Sequence, residues 1–353
     1  MKKKLNKLKR KLAKKDTAKT RTQEQGLPEV VTTDTLSEHR EEVLSGGRKY
    51  IYPLQHSKHR IVLISTGIFI SSMVVFFSYC TFALYKSKST NGFLYIVTKV
   101  VPFPIAKAGS HFVAYENYLF ELRRYMHFYE NKQQLDFNSE SGKAQLEQYK
   151  KRALDQVVND AYVNELADKN NISISSRELD DQIEIARKQN LLGADEKGFE
   201  NVLKDNFGWT INDFKRSLKQ RLLAQKVVAV LDTDTQQRAK KALEELNKGA
   251  DFDDIAKKYS DDRSTKNNGG EFNFLVSKND INLAPQATVA LFELKPGKIS
   301  AIINSGYSLE ILKNIKKEGN KVKAAHILFN FKDINTYIND LKDKEKTKLY
   351  VKL

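Results

Sequence analysis

Residues 249–312 read GADFDDIAKKYSDDRSTKNNGGEFNFLVSKNDINLAPQATVALFELKPGKISAIINSGYSLEIL. Phe252, Ile255, Ala256 and Tyr259 fall at helical spacing and mark one apolar face. The polar run from Ser260 to Asn268 breaks that period and predicts a loop. Gly269-Gly270 turns the chain, and Phe272 and Phe274 then alternate as in a short strand. Ala290, Leu291 and Leu294 predict a second short helix, stopped by Lys295-Pro296-Gly297. Ile299–Ile303 and Tyr307–Ile315 read as two further strands. The stretch is a small α+β unit.

Working outward, the chain divides unevenly by charge. It has 353 residues and a net charge of +16. Residues 1–60 hold 16 Lys/Arg against 7 Asp/Glu, and residues 61–353 hold 44 against 37. The basic excess is therefore concentrated in the first sixth of the chain. Met1–Arg21 carries Leu5, Leu8 and Leu12 at helical spacing. It is open to two readings, a solvated disordered tail or a segment that contacts anionic lipid headgroups. Without interleaved aromatics, nucleic acid is not an expected partner. Gln23–Arg60 is polar and patternless, so the whole of 1–60 is expected to be a mostly disordered cytoplasmic tail.

Ile61–Leu84 contains no charge, Pro or amide side chain. At ~1.5 Å per residue such a helix spans a ~30 Å hydrocarbon core with some tilt. Its length and the 60 residues before it favour an uncleaved anchor over a signal peptide. The basic tail places the N-terminus in the cytoplasm and residues 86–353 outside, a single-pass arrangement in the cell membrane. The one cysteine, Cys80, lies inside this run, so no intrachain disulfide forms.

A linker is expected over 85–96, within which Ser87–Asn91 is polar. Gly92–Ile105 reads as apolar and β-rich, with Pro102 and Pro104 excluding a central strand. Helical spacing returns over 111–129 and 144–169. Ser175 with Glu178 predicts a capping box for a helix reaching about Gln189. Two more helices are expected over 199–207 and 210–228, the last capped by Thr210 or Asn212.

GADFDDIAKKYSDD, the Gly-Gly turn, FELKPGKIS and SGY before an apolar strand together resemble the parvulin family of peptidyl-prolyl isomerases, over roughly 226–318. ISISSRELDDQIE followed by WTINDFKRSLKQRLLAQKVV resembles the N-terminal chaperone domain of the SurA type and of related membrane-anchored foldases, over roughly 97–230. The resemblances imply an all-helical SurA-N-like domain at 97–228 that binds unfolded or newly exported polypeptides, and a parvulin-like α+β domain at 229–331. They imply no cofactor and no metal. His39, His56, His59, His111 and His127 show no metal-ligand spacing, and no phosphate-loop or nucleophile motif is present.

The resemblance also names the candidate site. Asp262 matches the family's Asp/Cys position and Ser264 a nearby hydroxyl. Ser308 stands where the last-strand histidine is expected, Ala229 near the first-strand histidine, and Ala287 at the aromatic floor position. Taken alone, Asp262 reads equally as a solvated loop carboxylate. Residues 322–329, VKAAHILF, resemble the family's first strand with His326 in place, but at the far end of the domain. Two readings stay open. This is a truncated repeat, or the strand completes the same sheet in a circular permutation. Residues 332–353 are expected to be a C-terminal helical tail. The functional expectation is an extracytoplasmic isomerase and chaperone. The alternative is a holdase or scaffold that keeps the fold and has lost catalysis.

Overall fold

The computed structural model describes residues 32–51, 53–188 and 195–352. The basic segment Met1–Arg21, for which lipid contact is one of the two readings, lies outside them. The chain falls into two units, 1–78 and 79–353.

In the first unit, residues expected to be disordered form helix α1, Thr33–Ile51. The correction has a local cause. Thr32 Oγ1 accepts from Thr35 N at 3.5 Å, Asp34 sits in the first turn, and Leu36–Val43 has no helix breaker. Helix α2 is Pro53–Thr81, followed by a π-helical turn at Phe82–Lys86. From Ile61 to Lys86 it is long and apolar enough to cross a membrane. Its outer residues are exposed, but Cys80, Ala83 and Leu84 are buried within the second unit.

The second unit begins with helix α3, Gly92–Val100, where the apolar run suggests strand. Asn91 decides the matter by accepting from Phe93 N at 2.9 Å as the N-cap. A hairpin follows, β1 (Pro104–Ala108) and β2 (His111–Ala114), turning at Gly109 with φ +57°. Pro104 occupies the first position of its strand, where no ladder donor is lost. The region expected to be all-helical therefore carries a small sheet. Helices α4 (Tyr115–Gln133), α5 (Glu140–Lys169), α6 (Ser176–Lys188), α7 (Glu196–Phe207) and α8 (Ile211–Leu231) match the predicted spacing to within a turn. The expected capping box forms at Ser175/Glu178, and Thr210, one of the two expected caps, forms a further box with Asp213.

Helices α9 (Thr233–Asn247), α10 (Phe252–Tyr259) and α11 (Pro285–Glu293) surround a second sheet. Its strands are β3 (Ile303–Asn304), β4 (Ser308–Glu318) and β5 (Lys321–Asn330), in the order β3-β4-β5. β5 pairs antiparallel with β4 through ten residue pairs, with Leu312 opposite His326. On its other side β5 bridges Glu271 and Val276 through Ala325 and Val322. The C-terminal strand is thus interior to the sheet.

Alternation along β5 sends Ala325, Ile327 and Phe329 into one core with Ile255, Leu309 and Ile311. Val322 and Ala324 enter the opposite core with Phe272, Ala287 and Leu312. Ile299 to Ile302 proves mostly irregular, meeting β4 where Ile299 bridges Lys313 and where Ser300 N donates to the Leu312 carbonyl at 2.8 Å.

Residues 332–353 are not a free tail. Helix α12, Ile334–Lys344, lies along α5, where Lys342 Nζ donates to Asn159 Oδ1 at 2.7 Å. Tyr162 Oη donates to the Glu345 carbonyl at 2.6 Å. Strand β6, Lys348–Leu349, then joins β1, giving the first sheet the order β2-β1-β6. Val351 is buried. The expected helix is present as α12, but its docking and the strand after it rest on long-range contacts that leave no local pattern.

Candidate active site

The site is built where the loop after α10 meets β5. Asp261 N donates to the Leu328 carbonyl at 2.7 Å, and Leu328 N donates to Ser260 Oγ at 3.1 Å. Asn330 N donates to Asp261 Oδ2 at 2.9 Å, and Arg238 pairs with Asp261 at 2.6 Å. These bonds fix Asp262 against the strand. Opposite, Gly270 comes so close to β5 that an added Cβ would lie 2.1 Å from the His326 carbonyl oxygen. With φ +76° the position also demands glycine.

His326 projects between two carboxylates. Its Nε2 lies 2.9 Å from Asp262 Oδ2, and its Nδ1 lies 3.4 Å from Glu310 Oε2. His326 and Glu310 are both buried. Asp262 Oδ1 also accepts from Ser264 Oγ at 2.7 Å and Ser264 N at 2.9 Å, and Oδ2 accepts from Thr265 Oγ1 at 2.5 Å.

Burial alone would raise the Asp262 carboxyl. The hydrogen bonds from Thr265, Ser264 and His326 outweigh it and hold the group well below the usual carboxylate range. Burial alone would likewise drive the proton off His326. Glu310 and Asp262 reverse that and raise its pKa above the ordinary 6.5. The arrangement is an imidazole held between two carboxyl groups, with hydroxyls completing the shell of one of them. Its neighbour is apolar. The Phe272 ring centroid lies 4.5 Å from the imidazole, and Phe274 stacks on Phe272 at 5.5 Å.

Of the four residues singled out from sequence, Asp262, Ser264 and His326 come together. Ser308 does not. It pairs with Asn330, four positions along the strand from the level of His326, or ~13 Å. The physical reason is register, since β5 enters with His326 opposite Leu312. Ala287 is packed under the sheet with Leu291 and Leu312. Glu310 was missed. Its signal was a lone carboxylate between Leu309 and Ile311 in an apolar strand, which predicts a buried partner.

A second concavity of about 490 Å³ lies between the helical region and the C-terminal segment. Arg124, Asp160, Arg216, Tyr307 and Ile338 are among its walls. Burial pushes the Asp160 carboxyl up to about 7 against the hydrogen bond from Gln156. Arg216 forms a bidentate pair with Glu116 at 2.7 Å and lies over the Phe120 ring at 4.4 Å.

Residues 224–316 match the PPIC-type PPIase domain family, and residues 54–228 match the SurA-like N-terminal domain family. Residues 224–316 are a parvulin-type domain and residues 54–228 a SurA-like N-terminal domain. The parvulin-type match ends at 316, before β5 and His326 begin. A parvulin-like PPIase of Rickettsia bellii is 28% identical over 210 residues, which span 54% of this chain and 70% of the relative. The foldase protein PrsA of Clostridium botulinum is 27% identical over 51% of this chain and 64% of its own. The solved peptidylprolyl isomerase PrsA of Bacillus anthracis is 22% identical over 54% of this chain and 88% of its own, with a TM-score of 0.18. That score is too low to bear on the parvulin-type site.

Proposed function

We propose that this chain is a membrane-associated parvulin-type peptidyl-prolyl cis–trans isomerase and chaperone for exported proteins, with His326, Asp262 and Glu310 at its site and Ser264 holding Asp262. The observation that carries the reading is the 2.9 Å contact between His326 and Asp262, made by a strand from the C-terminal end of the chain. In this reading the parvulin sheet is circularly permuted, its histidine strand having moved from the front of the domain to the back.

Rotation about an X–Pro bond faces a barrier of ~18–20 kcal/mol and needs no nucleophile or metal. The planar amide owes its barrier to charge delocalised from nitrogen to oxygen. An apolar surface such as Phe272–Phe274 disfavours that charge separation more than it disfavours the twisted amide. The charged cluster holds the pocket's shape and supplies a fixed field beside it. The test is a proline-limited refolding assay of the full chain with and without His326→Ala. The variant loses about tenfold in kcat/KM, or ~1.4 kcal/mol of transition-state stabilisation. Equal rates would remove His326 from the reaction.

A second reading is favoured by Ser308, which stands in the place of the family's second histidine. In that reading the chain is a holdase, and the cavity beside Asp160 and Arg216 receives unfolded segments. Wild type would then suppress aggregation of an unfolded protein without accelerating proline-limited refolding.

The proposed topology is single-pass, with the N-terminus cytoplasmic and residues 86–353 outside. The basic tail lies against anionic lipid. Protease added to intact cells then degrades 86–353 and spares the tail, and degradation of the tail alone would reverse the orientation.

A further inference from the structure

Helix α3 is apolar on both sides. Its inner side buries Leu94 and Thr98. Its outer side presents Phe93, Ile96 and Val100, which are 51%, 63% and 81% exposed. These lie at i, i+3 and i+7, so they form one stripe along the helix. Three large apolar side chains exposed on nine residues is a patch, not scatter.

Position and charge say what covers it. The patch begins just after the apolar helix ends. Ser89 N donates to the Ala83 carbonyl at 2.9 Å, which keeps the chain at the end of the π-helical turn before α3 starts. Tyr79 and Phe82, on that last stretch, are also exposed. Cys80 and Leu84 are already buried in protein there, so the lipid-facing run is Ile61–Tyr79. At 1.5 Å per residue it rises ~28 Å, close to a hydrocarbon thickness of ~30 Å. The span therefore ends where α3's unit begins.

Along the sequence around the end of the span the charges have one sign, while Glu116 and Asp213 lie near Tyr95 on the inner side of α3. Between Glu42 and Glu116 the sequence contains no Asp or Glu. After the span it carries Lys86, Lys88, Lys99 and Lys107. Lys99 stands over the Tyr95 ring at 4.5 Å, and Arg123 stands on it at 5.1 Å.

We infer that α3 is an interfacial helix, lying in the plane of the outer leaflet with Phe93, Ile96 and Val100 in the acyl boundary and Lys99, with the flanking Lys86 and Lys88, among anionic headgroups. Such a helix joins an apolar face to basic flanks and binds by both terms. It turns a single span into a two-point attachment that restricts how the second unit tilts over the membrane. The inference rests on the membrane reading of α2, so its test separates the two.

The full chain is reconstituted into vesicles of phosphatidylcholine with 30% phosphatidylglycerol (~30%, enough to give an anionic surface). Single cysteines carry a spin label at Val75, Ile96, Val100 or Lys248, and the wild-type chain, with Cys80 buried, is the labelling blank. Collision rates with oxygen and with a water-soluble nickel chelate report depth. Labels at Ile96 and Val100 give an oxygen-to-nickel ratio several-fold above Lys248 and below Val75. A ratio at Ile96 equal to that at Lys248 places α3 in water and overturns the proposal. Suppression of both collision rates means that protein, a second copy, covers the stripe, and also overturns it. A water-like ratio at Val75 would overturn the anchor and the proposal together.

Discussion

Both sheets of the second unit take a strand from the last thirty-odd residues of the chain, and they use it in opposite ways. β5 contributes ten pairs in the interior of its sheet, and its Val322, Ala324, Ala325, Ile327 and Phe329 are buried. β6 contributes two pairs at an edge, and both its residues are exposed. The first strand is part of a core and the second is a clasp over one already formed. Position near the chain end therefore says nothing about structural weight. Burial on both faces does.

Removing everything after Lys321 should have the largest effect. Val322, Ile327 and Phe329 each account for ~1.5–3 kcal/mol of burial, against a total domain stability of ~5–15 kcal/mol. The truncated chain should lose its cooperative thermal transition over the α9–β4 region while α4–α8 keep their helical circular dichroism. An unchanged thermal midpoint would show that β5 is dispensable and would end the permuted-sheet reading.

Gly270→Ala comes next. The new Cβ meets the His326 carbonyl and the backbone sits at positive φ, so the cost exceeds ~2 kcal/mol. Chemical denaturation should show the lower midpoint, with the slope unchanged. A neutral outcome would mean that the 271–276 segment is not held against β5.

Removing 346–353 deletes the clasp alone. It takes away Val351 and the Thr347 hydroxyl, 2.9 Å from Tyr162 Oη. A loss of ~1–3 kcal/mol is expected, with isomerase rate retained, because His326 lies in the other sheet. If the rate fell with the stability, the two sheets would not be separable.

Glu310→Gln has the smallest effect on stability and the most specific signature. His326 is raised in the folded state, so the stabilisation from its proton is complete below 6.5 and is lost as pH rises through the raised value. Removing the Glu310 charge lowers that folded value, and the loss moves to lower pH. The alkaline limb of both the thermal midpoint and the rate should shift downward together. The Asp262 contribution behaves oppositely, being present above 3.8 and lost as pH falls through its depressed value, so the acid limb should stay in place. An unshifted alkaline limb would remove Glu310 from the proton balance.

Periodicity alone located most elements. Phe252, Ile255 and Ala256 are the buried face of α10, as their spacing requires, and Ser175 and Thr210 cap the helices they precede. These are local signals within a few residues. The errors share the opposite property. Gly92–Val100 has strand-like composition, but a cap and a packing face make it helix. The β1–β2 hairpin is closed by Glu165, 55 residues away from Ser110, which donates its backbone N–H at 3.1 Å. Ser110 and His111 hold that carboxylate down to about 2.

The membrane-length apolar run, the order of the helices and the resemblance that singled out Asp262 and Ser264 are all legible in the amino-acid order. It also showed that a histidine in strand context existed at 326. That this strand enters the interior of the sheet, that its register sets His326 between Asp262 and Glu310, and that Ser308 stands apart follow from contacts between distant segments. A strand's pattern fixes which side chains share a face. Which strand it pairs with, and at what offset, is fixed by cores and hydrogen bonds between segments distant in sequence.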